Sequence, residues 1–113
     1  MADISELRLQ QECFMWFHNS YPHLRGLFFR IKNENTNRIS GAIGKATGII
    51  PGVADSCLLV PGLRAWFIEF KTPTGTQSKN QIDWQNRVEL AGHNYKIIRT
   101  LEQFKELCQT LDL

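Results

Sequence analysis

Three side chains in this sequence have the types and spacing for chemistry on a charged substrate. They are Asp55 and then, fourteen and sixteen residues later, Glu69 and Lys71. Side chains of an extended strand alternate between faces, so Glu69 and Lys71 point one way while Trp66, Ile68 and Phe70 point the other. Asp55 joins the charged pair if segments 55–60 and 64–71 form a hairpin. A three-residue turn at Pro61–Leu63 sets Val60 opposite Arg64 and Asp55 opposite Glu69, whereas a two-residue turn slips the register and sends Asp55 to the other face. Two facing carboxylates repel unless something positive lies between them. Mg2+ or Mn2+ suits such a place, because both favour hard oxygen ligands and tolerate retained waters. A lysine beside that ion can orient or help deprotonate a water, or stabilise charge developing on a phosphate. Together the parts suit metal-assisted hydrolysis of a phosphodiester. The same residues also fit a plainer arrangement, the solvated face of an edge strand with Asp55 capping a turn.

The elements that must position them can be read from periodicity and punctuation. Asp3 and Glu6 have capping-box spacing and open a helix to about Asn19, with Leu7, Leu9, Cys13, Phe14 and Phe17 as its apolar face. Tyr21-Pro22 stops it. Leu27–Lys32 is aromatic and β-branched enough for a strand. Residues 33–48 are rich in Asn, Gly, Ser and Thr, a long polar stretch for so small a domain unless it is functional or partly helical. Ser56–Val60 and Arg64–Lys71 read as strands, and Thr72-Pro73-Thr74-Gly75 breaks the sheet. Ser78 with Gln81 opens a helix to about Ala91, before Gly92. Tyr95–Arg99 is a further strand, and Thr100 with Gln103 caps a last helix to about Leu111. The order αβββαβα predicts an α+β, or mixed α/β, fold with a central mixed sheet flanked by helices.

Composition limits the alternatives. At 113 residues, 42% hydrophobic and 21% charged, the sequence suits one globular domain over residues 1–113 and does not resemble a disordered chain. No apolar run approaches the roughly 20 residues of a membrane span. The opening Met1-Ala2-Asp3-Ile4-Ser5-Glu6 lacks the basic and apolar parts of a secretory signal, so a cytoplasmic location is expected. A net charge of +2, from 13 basic against 11 acidic residues, means that any nucleic-acid contact needs its cations clustered on one face. Cys13, Cys57 and Cys108 are three and far apart, which fits neither a zinc knuckle nor a closed disulfide framework. They read as small buried hydrophobes in a reducing compartment. His18, His23 and His93 have no metal-ligand spacing, and no nucleophile elbow or phosphate-binding glycine loop is present.

Asp55…Glu69-Phe70-Lys71 resembles the D…(D/E)-x-K signature of the PD-(D/E)xK, or restriction-endonuclease-like, nucleases. Its surroundings are similar to the VRR-NUC (virus-type replication-repair nuclease) family over nearly the whole chain. The similar residues begin with Ser5-Glu6…Leu9-Gln10, Trp16-Phe17 and Lys32-Asn33. They continue through Gly48-Ile49-Ile50-Pro51-Gly52-Val53-Ala54-Asp55, Ile68-Glu69-Phe70-Lys71-Thr72-Pro73 and Gly75, then Ser78, Gln81, Trp84 and the segment from Gly92 to Tyr95. The resemblance implies a restriction-endonuclease-like core and a nuclease dependent on Mg2+ or Mn2+. In it Asp55 and Glu69 are metal ligands and Lys71 is the catalytic lysine. Ala54 stands where the family often has proline, a departure that touches the turn before Asp55.

The family usually adds an acidic or amide side chain from the first helix to the metal site. Glu6 and Gln10, four apart on one face, match its E-x-x-x-Q spacing, so Glu6 joins Asp55 and Glu69 as a candidate metal ligand and Gln10 as a candidate catalytic residue. Glu6 fits equally as a capping residue, and Glu12 lies elsewhere on the helical wheel. Gln81 either caps the helix begun by Ser78 or reaches the metal site, as the family's glutamine after the E-x-K strand does; the two roles are compatible. Trp84 reads as core packing rather than a base-stacking platform. Lys32, Asn33, Arg38 and Lys45 flank or occupy the polar stretch and are the candidate DNA contacts, with Arg25, Arg30, Lys79 and Arg87 extending a basic surface. Stand-alone family members resemble dimeric, structure-selective nucleases acting on branched DNA such as four-way junctions. The implied setting is phage or bacterial replication, repair or recombination. The competing expectation is a non-catalytic nucleic-acid-binding or interaction module on the same fold, against which the intact Asp55, Glu69 and Lys71 argue.

Overall fold

The computed structural model describes residues 4–32, 38–62 and 64–113, with the side chains of residues 38–40 excepted. Helix α1 (Ile4–Ser20) turns its buried Cys13 and Phe17 inward; the expected cap Asp3 lies outside the described residues. Tyr21 N–H still donates to Phe17 O at 2.9 Å before Pro22 opens a short 3-10 turn. Strand β1 (Phe28–Arg30) is shorter than the expected strand. Pairing nevertheless runs past both its ends, through Ile31 N to Asp55 O and Leu59 N to Leu27 O, each 2.8 Å. Strands β2 (Ser56–Leu59) and β3 (Ala65–Phe70) follow, then α3 (Lys79–Leu90), β4 (Asn94–Ile98) and α4 (Leu101–Thr110).

One element differs from the expected order. The polar stretch contains a helix, α2 (Arg38–Ala46), so the order is αβαββαβα. Gly48, at φ 102°, ends it in the left-handed conformation open to glycine, and Ile49 N–H returns to Gly44 O at 2.8 Å. Gly41 and Gly44 inside the helix are poor helix formers, which is why local pattern left the segment undecided.

The four strands lie in the order β1-β2-β3-β4. The first two pairings are antiparallel and β3–β4 is parallel, so a crossover is needed and α3 supplies it. The β2–β3 register is that of the three-residue turn: Ser56 faces Ile68, Cys57 Phe67, Leu58 Trp66 and Leu59 Ala65. One face of the sheet carries Phe28, Leu58, Ile68, Phe70 and Ile98 into a core closed by Phe17 of α1 and by Phe104 and Leu107 of α4. Phe28 and Phe104 stack with ring centroids 5.0 Å apart. The other face meets α3, where Trp84 stands edge-on to Phe67 at 5.0 Å and also touches Tyr95. Trp84 is thus packed into the structure.

All three cysteines are buried and free, and burial pushes the Cys13 and Cys108 thiols up to about 12. Among the described residues no helix is long and apolar enough to cross a membrane.

The loop leading into β2 is fixed by a close approach. Gly52 sits at φ 85°, and a Cβ there would lie 2.2 Å from the backbone oxygen of Asn80 at the start of α3. Gly52→Ala is therefore expected to destabilise the protein by about 2 kcal/mol or more, through both the left-handed backbone and the clash. Urea unfolding measures this, and an unchanged midpoint would contradict the packing described.

Candidate active site

Asp55 and Glu69 meet at the end of the β2–β3 hairpin. The register, continued one step past Ser56–Ile68, sets them opposite each other. Asp55 is held from three directions. Ala54 before it is fully buried, its backbone oxygen accepts from Ile31 N–H at 2.8 Å, and its Oδ2 accepts from Phe70 N–H at 2.7 Å. The last bond reaches across to β3 and aims the carboxylate toward Glu69.

Glu69 is 2% exposed. Its Oε2 accepts from Gln81 Nε2 at 2.9 Å, while Oε1 is buried with no donor among the described residues. The carboxyls of Asp55 and Glu69 lie close enough to share a hydrogen bond when one of them holds a proton. With both ionised, Oε1 is an orphaned acceptor.

Burial is the main cause that raises the affinity of Glu69 for a proton, followed by the neighbouring Asp55 charge and the hydrogen bond to Asp55. The Lys71 charge partly opposes this, and the Glu6 charge adds to it. Asp55 is raised by burial, with the Phe70 N–H, Glu69, Lys71 and Arg30 all pulling the other way. The two carboxyls therefore titrate as a pair whose affinity for a proton is raised, chiefly by burial.

Lys71 lies one residue beyond β3 and is 8% exposed. Its N–H donates to Ile98 O at 3.1 Å, which prolongs the parallel ladder. The turn after it is pinned by Arg99, whose Nη1 donates to both Thr72 O and Gly75 O at 2.7 Å. No hydrogen bond or ion pair to Lys71 Nζ is formed among the described residues, although its charge bears on both carboxyls.

Both readings of Gln81 are realised in one side chain. Its Oε1 accepts from Ser78 N–H at 2.9 Å while Ser78 Oγ accepts from Gln81 N–H, a complete capping box. Its Nε2 is the donor to Glu69. The residues on α1 separate. Gln10 Nε2 donates to Ser56 Oγ at 3.3 Å, on the sheet face opposite Asp55 and Glu69. Glu6 is half-buried and near enough to influence Glu69, yet the described residues contain no cluster of three or more His, Cys, Asp or Glu arranged to hold a metal. Glu12 is exposed.

Of the expected DNA contacts, Lys32 and Lys45 are exposed. Asn33 and the side chain of Arg38 lie outside what is described. Lys79 pairs with Asp83 at 3.4 Å on the surface of α3. Arg30 is closer to the site than its sequence position indicates, because the β1–β2 register sets it opposite Ser56, the neighbour of Asp55. A further pair that sequence reasoning missed is Gln77 and Tyr95. Gln77 Nε2 donates to Gln85 Oε1 and to the Tyr95 hydroxyl, and the buried Tyr95 feels the Glu69 charge. Only the parallel β3–β4 pairing brings Tyr95 to this face, and no local pattern announces it.

A scan against protein-family models found no match to the sequence, and a comparison with curated proteins found none. Solved structures do match in shape. One, described as "VRR_NUC domain protein", superposes with a TM-score of 0.79 at 13% identity, covering 98% of this chain and 90% of that one. A second, "VRR_NUC domain", gives 0.63 at 18% identity, covering 95% and 97%. The chain thus has the fold of the VRR_NUC domains, with two carboxylates and a lysine gathered at the end of its central hairpin.

Proposed function

We propose that this protein is a metal-dependent nuclease that hydrolyses phosphodiester bonds in DNA. The observation that carries the reading is the Asp55–Glu69–Lys71 cluster, whose buried Glu69 Oε1 has no donor among the described residues, on the fold shared with the VRR_NUC domains. A divalent cation fits the donor set: two adjacent carboxylates supply hard oxygens, and Mg2+ binds through one or two carboxylates while keeping waters. Asp55 and Glu69 would hold it, with Glu6 nearby. Bound there, Mg2+ or Mn2+ supplies Lewis-acid polarisation of the phosphate and acidifies a coordinated water.

The chain's own residues prepare the rest. The Phe70 N–H and the Gln81 amide fix the two carboxylates before substrate arrives, so little reorganisation accompanies reaction. Lys71, buried and with no hydrogen bond or ion pair to its amine among the described residues, offers a cation to the phosphate as negative charge develops on it, or a site for the attacking water. The exposed Lys32 and Lys45 supply phosphate contacts that position DNA without reading its sequence.

The proposed substrate is branched duplex DNA such as a four-way junction, cut internally during phage or bacterial replication, repair or recombination in the cytoplasm. A homodimer would bring two such sites to two strands.

The test is cleavage of labelled four-way-junction, flap, linear duplex and single-stranded DNA in Mg2+, Mn2+ or EDTA. Cutting is expected only with metal, and Lys71→Ala should lower it by about 10²- to 10³-fold with the fold intact. Wild-type cutting in EDTA or by Lys71→Ala would overturn the mechanism.

Glu69 adds a pH signature. Its proton affinity is raised on folding, so the native state is favoured below the ordinary value of 4.5 and loses that advantage as pH rises above it. Without metal, urea stability should decline from pH 5 toward alkaline pH. Added Mg2+ should restore it, and Glu69→Gln should flatten the dependence. A flat wild-type profile in EDTA would contradict the buried carboxyl pair.

A further inference from the structure

We infer that the cavity between α1 and β1, lined by Ser56 next to Asp55 in the chain but on the sheet face opposite the two carboxylates, receives a single unpaired nucleobase of the DNA, a reading that rests on the proposed nuclease function. The cavity measures about 300 Å3, at the lower end of the roughly 300–1,000 Å3 of small-molecule sites. Leu7, Phe14 and Phe28 make its walls apolar. Phe28 is buried, whereas Phe14 keeps 42% of its surface exposed. The two rings lie 6.2 Å apart at 32°. An exposed aromatic ring over an apolar slot is a platform on which any base can stack.

The rim is polar. Gln10 donates to Ser56 Oγ, which leaves Gln10 Oε1 as an acceptor and the Ser56 hydroxyl proton as a donor. The side chains of Gln11 and Arg30 also line the cavity and form no hydrogen bond or ion pair among the described residues. An apolar slot edged with amide, hydroxyl and guanidinium groups matches a heterocycle with π faces and a hydrogen-bonding edge. A purely aliphatic occupant would leave that rim without partners.

Ser56 follows Asp55 in the chain, and Arg30 stands opposite Ser56 in the β1–β2 register. Its guanidinium complements the phosphate attached to the base. A base in the slot would lie on the α1 side of the sheet, one residue along β2 from Asp55 and beside an Arg30 whose charge reaches that carboxyl. Gln10 then acts on substrate from this side, in contact with the base rather than with the metal.

The experiment uses three duplexes: one with a bulged 2-aminopurine, one with an abasic site at the same bulge, and one fully paired. The full-length protein is titrated against each in EDTA, followed by anisotropy and 2-aminopurine fluorescence, and cleavage is followed in Mg2+. The bulged base should bind about tenfold more tightly than the abasic bulge, with its fluorescence quenched by stacking. Phe14→Ala should abolish that preference while leaving binding and cutting of paired duplex unchanged, and Phe14→Tyr should retain it. Equal binding and cutting of base and abasic bulges would overturn the inference and leave the nuclease reading standing. Failure to bind or cut any of the DNAs would overturn both. A change in sedimentation of Phe14→Ala without loss of base preference would assign the cavity to a second copy of the chain and overturn the inference.

Discussion

Two carboxyl groups forced together out of water set the terms for this structure. Both cannot be charged together without a counter-charge, because burial strengthens their repulsion and removes the solvent that would screen it. The surrounding elements each contribute to holding the pair: the β3 backbone through the Phe70 N–H, α3 through Gln81, and the end of β3 through Lys71. The free protein meets the constraint by holding a proton on the pair more tightly than a free carboxyl would. A divalent cation would meet it by taking the place of that proton, so metal binding and proton release are expected to be one linked event.

Much of this arrangement is written in local pattern. The alternation of Trp66, Phe67, Ile68, Glu69, Phe70 and Lys71 fixes which side chains share a face, and Pro61-Gly62 marks the turn whose length decides the register. The capping residues Ser78 and Thr100 likewise mark where α3 and α4 begin. Helix α2 was harder to see because its glycines oppose helix formation, and a nine-residue segment has too few apolar positions to show a period. Contacts between distant segments were hidden for a different reason. Gln10 and Ser56 are 46 residues apart, and the nearness of Arg30 to Asp55 follows from strand pairing alone. E-x-x-x-Q spacing shows that Glu6 and Gln10 share a helical face, but not what that face touches.

The sheet divides labour between its two sides. Aromatic and aliphatic residues that meet α1 and α4 form the continuous core, while the side facing α3 carries the polar cluster at one end and Trp84, Phe67 and Tyr95 behind it. The parallel β3–β4 pair joins the two functions. Its ladder runs on through Lys71, and Arg99, just past β4, anchors the turn that follows. Lys71 is therefore held by backbone geometry on both sides, although its amine has no partner among the described residues.

Gln81 serves two masters with one amide group, its oxygen closing the first turn of α3 and its nitrogen steadying Glu69. Helix ends are where local opening begins, since their first amides depend on such caps. When that turn frays, Glu69 loses, in the same movement, its one hydrogen-bond donor among the described residues. The readiness of the cluster is thereby tied to the melting of a single helical turn, and hydrogen exchange at the Ser78 and Gln81 amides would report on the chemistry of a carboxylate in another element.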